Sequence, residues 1–208
     1  MNNASLIYHP QRIKTNVTSC TVYHDSFQGN EDPYLWNKQF LHSYCHITQL
    51  KNEVGQINFW ISGDTYPNFT KLLCDCVFVV ASKHYWKDAN HMTLENPIVD
   101  NEQTFQHHYR WVNPTFNHHP FKRRRRYTLK ADPDKSFQPQ NRNRELIDIL
   151  PFLNSCGLET QTLIHSITSK SGSRPFKLPE GLGFKLYYFL RENAVIKLYG
   201  KDIANLHP

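Results

Sequence analysis

The chain has no apolar run near the ~20 residues that a membrane helix needs, so no helical span is expected. It also contains no G-x-S-x-G, no Walker A loop, no G-x-G-x-x-G and no H-E-x-x-H. The α/β-hydrolases, P-loop NTPases, dinucleotide-binding enzymes and zinc proteases marked by those spacings are therefore not expected. An acidic residue two positions before Lys83 would fit a common nuclease core, but Ala81 stands there. Positions 1–14 lack an apolar segment of ~7–15 residues, so the expectation is no secretory signal and a cytoplasmic location. The five cysteines (20, 45, 74, 76 and 156) are odd in number, which disfavours a disulfide framework and favours free thiols.

What is present is basic and globular. Over 208 residues, 24 Lys and Arg oppose 18 Asp and Glu, a net charge of +6 with the twelve His neutral. That balance points to an anionic partner, or does no more than keep the surface soluble. With 39% hydrophobic residues the chain suits one domain spanning 1–208. Residues 1–31 form an irregular or edge-strand lead-in, and Asp32-Pro33 opens a helix near 33–43. Alternation of Ile57, Phe59 and Ile61 predicts a strand over 56–62, and the β-branched run 74–82 predicts a second one covered on both faces. Residues 87–121 have no sustained period and read as a long functional loop. A strand at 127–130, a helix over 143–154 cut short by Pro151, a strand at 163–168, a basic loop at 170–177, a helix at 180–192 and a strand at 194–199 follow. These irregularly mixed elements predict an α+β fold, a bent or barrel-like mixed sheet with a few short helices at its rim.

The densest chemical signal is Lys122-Arg123-Arg124-Arg125-Arg126. Guanidinium groups bind phosphate oxygens bidentately and stay charged at physiological pH. The same run would also protect an edge strand from aggregation. His107, His108, Tyr109 and Trp111, with His118 and His119, add imidazole and aromatic groups that stack bases and donate to phosphates. One His from each pair with Asp64 or Asp132 would suit a divalent metal, although no cofactor is indicated and histidines in polar loops are the plainer reading. Cys74 and Cys76 could be two metal ligands, or could share one buried strand face with Phe78 and Val80. His46-Ile47-Thr48 and His91-Met92-Thr93 match the His-apolar-Thr element of two-histidine phosphoesterases, in which two histidines act as base and acid.

Cys45-His46-Ile47, Val54-Gly55, the strand Ile57 to Ser62 ending at Gly63, the strand Cys76 to Val80, and His84-Tyr85-Trp86 form an ordered series. Over residues 42–90 this series resembles the nucleotide-modification-associated domains and the wider PUA-like and EVE-like small β-barrels. The resemblance implies an association with modified bases, with Trp60 and Trp86 as base-stacking walls; the plainer fate of a strand Trp is the core. The reading that unites these features is a nucleic-acid or nucleotide-associated protein. Its alternatives are a phosphoesterase using His46 and His91, acting on RNA or cyclic phosphates, and a non-enzymatic protein whose basic run binds an acidic partner.

Overall fold

The structure, a computed structural model, describes residues 4–8, 12–17, 20–24, 42–43, 52–65, 68–88, 93–94, 127–168 and 175–204. The fold is α+β. A mixed sheet carries the order β11–β1–β5–β6–β8–β4, with β11 at Phe176–Lys177, β1 at Ala4–Tyr8, β5 at Ile57–Gly63, β6 at Leu72–Asp88, β8 at Tyr127–Ala131 and β4 at His42–Ser43. The short strands β7 (Thr93–Leu94) and β10 (Ile147–Asp148) also pair with β6, as does β9 (Phe137–Gln140), which in turn pairs with β12 (Ile196–Tyr199). β1 and β5 run parallel, and the remaining pairings of these strands are antiparallel. A separate hairpin joins β2 (Ile13–Val17) to β3 (Cys20–His24). The sheet does not close into a barrel.

The 17-residue β6 is the spine of the sheet, and its register slips three times. Trp60 and Ile61 face Cys76 and Cys74, so Asp75 is an extra residue; the same happens at Ala81 against β8 and at Lys87 against β7. Such bulges bend and twist a strand, which gives the sheet its curvature. The first bulge also reverses side-chain parity. Cys74 faces one core with Val77 and Val79, whereas Cys76, Phe78 and Val80 face the other, so the expected single face of Cys74, Cys76, Phe78 and Val80 is corrected.

Both faces of the sheet are covered. Helices α1 (Leu150–Ser155), α2 (Thr160–Thr168) and α3 (Leu182–Asn193) bury Leu153, Leu163, Leu186 and Leu190 against Leu6, Phe59 and Phe137. A last short helix, α4, spans Gly200–Ala204. On the other face the hairpin contributes Val22 to a core with Ile7, Trp60 and Phe78. Side-chain amides stitch it there: Gln138 accepts from Tyr23 N at 2.9 Å and donates to Tyr23 O at 2.8 Å, and Gln140 donates to Thr21 O at 2.7 Å. Among the described residues no helix is long and apolar enough to cross a membrane.

Several sequence expectations change. Within the lead-in, β1 is an interior strand between β11 and β5, buried from Ala4 to Ile7. Residues 163–168 belong to a helix because Leu163 and Ile167, four apart, face the core together, and that packing outweighs the weak β preference of Thr and Ile. The helix expected over 143–154 begins only at Leu150. Asn141 Oδ1 accepts from the backbone N–H groups of Asn143 at 2.8 Å and Glu145 at 3.0 Å, holding a turn that includes Arg144 at a φ of 61°. Pro151 lies in the first turn of the helix that follows, where its missing N–H costs nothing. The helix expected at 33–43 lies outside the described residues except for His42 and Ser43, which are strand.

Candidate functional site

A concave surface among the described residues lies along α3. Leu182, Leu186 and Leu190 repeat every four residues and turn inward, and Gly183 lets the helix settle on β1, since a Cβ there would lie 2.2 Å from that of Ala4. The opposite side then carries Phe184, Tyr188 and Arg191, spaced i, i+4, i+7. Phe184 is 40% exposed and Tyr188 53% exposed, uncommon solvent access for large rings.

Two depressions adjoin this helix face. One, of about 340 Å³, has a floor of Ile57 and Val79 and walls of Phe184, Tyr187 and Tyr188, with Lys135 and Arg191 among its lining. The other, of about 660 Å³, lies among Tyr188, Arg191, Glu192, Val195, Lys197 and Tyr199. Both volumes fall in the ~300–1,000 Å³ of ordinary ligand sites. The shared wall is held in place. Tyr187 packs edge-on to Phe137 at 5.9 Å and to Tyr188 at 5.7 Å, and its hydroxyl donates to Lys135 O at 3.3 Å. Burial pushes the Tyr187 phenol up, and the nearby Arg191 charge pulls it partly back. Lys135 Nζ pairs with Asp132 Oδ2 at 2.8 Å, whereas Arg191 forms no ion pair among the described residues.

The two depressions together offer planar rings, the three cations Lys135, Arg191 and Lys197, and the single carboxylate of Glu192. Comparison with protein-family models, curated proteins and solved structures gives no match. The chemistry of this surface is therefore read from its own residues.

The sites expected from sequence fare unevenly. Lys122, Arg123, Arg124, Arg125, Arg126, His107, His108, Tyr109, Trp111, His118 and His119 lie outside the described residues, as do His46 and His91. Trp86 lies in β6 opposite Leu94, and its side chain is outside the described set. Trp60 as a base-stacking wall is corrected: it is 0% exposed, walled in by Ile7, Val22 and Cys76, with the Arg12 guanidinium 5.9 Å from its ring. Cys74 and Cys76 face opposite cores, and burial pushes both thiols up, away from the thiolate a metal would need. Among the described residues no group of three His, Cys, Asp or Glu could hold a metal ion.

The carboxylates weighed as metal ligands are engaged in their own turns. Burial pushes Asp132 upward, but bonds from Lys135 and Asp134 outweigh it and hold the group below its usual range. Asp64 accepts from the Thr70 hydroxyl and from the backbone N–H groups of Thr70 at 2.8 Å and Lys71 at 3.0 Å. Those bonds, the hydroxyl's first, lower it from 3.8 to about 2. A depressed folded-state value means a stabilising contribution fully present above about pH 4 and lost as pH falls through about 2. In Asp64→Ala the urea midpoint should therefore lie below wild type near neutrality, and the two should converge toward about pH 2. A gap that stays constant over this range would contradict the assignment.

Proposed function

We propose that the protein binds nucleotides or nucleic acid on the outer face of α3. The observation that carries the reading is the exposed Tyr188 ring beside Arg191, common to two adjoining depressions with Phe184, Tyr187 and Tyr199 around them. Aromatic faces stack bases whatever their identity, and a guanidinium meets a phosphodiester with two parallel hydrogen bonds. The net charge of +6 favours the same anionic partner. The run Lys122–Arg126 supplies additional phosphate contacts in this proposal, and a modified base is the ligand that the sequence resemblance would add. A cytoplasmic location belongs to the same proposal and is supported by the free thiols of Cys20, Cys74, Cys76 and Cys156.

Removing the Tyr188 ring is the direct test. Its exposure makes a folding defect avoidable, which the melting temperature verifies. Tyr188→Ala should weaken binding of a fluorescein-labelled twelve-nucleotide single strand by about 1–3 kcal/mol, roughly 5- to 150-fold in Kd. Tyr188→Trp should retain affinity. An anisotropy titration with the same Kd for wild type and Tyr188→Ala would remove α3 from the binding surface.

A further inference from the structure

Resting on that reading and sharpening it, we infer that the α3 surface takes two consecutive nucleotides of a single strand, with Tyr188 as the partition between the bases. Tyr188 and Arg191 are the residues common to both depressions, and they stand one turn apart on the same helix face. The smaller depression offers a base an apolar floor, Ile57 and Val79, between the rings of Phe184 and Tyr187. The larger one offers Val195 and the Tyr199 ring, with Lys197 at its side. One base fills one side of the Tyr188 ring; a second, linked base fills the other. The phosphodiester joining them then passes the partition where Arg191 stands.

The charges suit one linker better than a phosphate-rich ligand. Lys135 is already paired with Asp132, and Lys197 Nζ already donates to Ala194 O at 2.7 Å. Glu192 opposes excess negative charge, so Arg191 is the main cation left for phosphate, with the remaining N–H groups of Lys197 beside it. A duplex keeps its bases paired and stacked, and so cannot place one on each side of a protein ring. The site is thus specific for unpaired strands and tolerant of sequence.

Calorimetric titration of the full chain with AMP, the dinucleotide ApA, a twelve-nucleotide DNA strand and its duplex tests this. ApA should bind roughly tenfold or more tighter than AMP, the added stack accounting for the gain, and the strand should bind tighter than the duplex. Val195→Asp, at a position 59% exposed, places a carboxylate in the larger depression and should abolish the advantage of ApA over AMP. Phe184→Ala should weaken both ligands. If ApA binds no tighter than AMP while both respond to Phe184→Ala, the two-base site is wrong and the nucleotide-binding reading stands. Equal affinity for strand and duplex also overturns the two-base site. If none of the nucleic acids binds and octaglutamate does, both fall and the surface belongs to an acidic protein partner.

Discussion

Asp75→Ala should lower stability by about 3–5 kcal/mol, because it leaves the Arg12 guanidinium buried without the Asp75 carboxylate. Arg12 Nε donates to Asp75 Oδ2 at 3.1 Å, with both side chains 1% exposed, and the Ser62 hydroxyl donates to Oδ1 at 2.8 Å. The ion pair sits on the bulge of β6 and ties the residue just before β2 to the middle of the sheet. Its net worth is a separate matter. Taking both charges out of water is costly, so Arg12→Met with Asp75→Leu should recover most of the stability lost by Asp75→Ala alone. Urea unfolding of the two single variants and the double variant measures the coupling. A loss below about 1 kcal/mol for Asp75→Ala would mean that water reaches the pair.

Phe78→Ala should cost a similar ~3–5 kcal/mol, as large-to-small changes in a closed core do. The ring is 0% exposed, in the core shared by Ile7, Trp60, Val80 and Leu129 on the hairpin side of the sheet. Because α3 packs on the opposite face, the folded fraction of this variant should bind the single strand with wild-type Kd. Denaturant titration gives the first quantity and anisotropy the second. Stability within about 1 kcal/mol of wild type would contradict the burial of Phe78.

Local pattern makes part of this fold legible. The alternation at Ile57, Phe59 and Ile61 marks β5, and the Leu182–Leu186–Leu190 stripe marks α3 almost to its ends. What local pattern misses depends on partners far along the chain. Ser5 in ASLIY is buried because β1 is flanked by β5 and β11, partners about 50 and 170 residues away, and no local signal announces either. The strand expected at 163–168 is a helix, because Leu163 and Ile167 stand i, i+4 and face one core that only the folded chain supplies. The α3 surface has a readable half. Phe184, Tyr188 and Arg191 are out of phase with the leucine stripe, and aromatic residues there have no core to fill. The other half, the floor of Ile57 and Val79, comes from strands more than a hundred residues earlier. The arginine run stands out in the sequence because charge is visible without a fold.

The extra residue at Asp75 gives β6 two reading frames, and that fixes where the chain can change length. Deleting Asp75 itself would restore straight alternation with both flanks on their present faces, at the cost of leaving Arg12 without that carboxylate. Deleting a regular residue such as Val77 would instead turn every side chain on one flank through to the other face. After the Val77 deletion Phe78 and Val79 would exchange faces, and pairing with β5, β8 and β9 would have to be rebuilt or abandoned. A one-residue deletion in the exposed turn at 142–144 would be absorbed locally, since it connects strands without lying between them. Insertions and deletions among descendants of this chain should therefore collect in its turns and spare the stretch from Leu72 to Val80, whose count of residues matters as much as their identity.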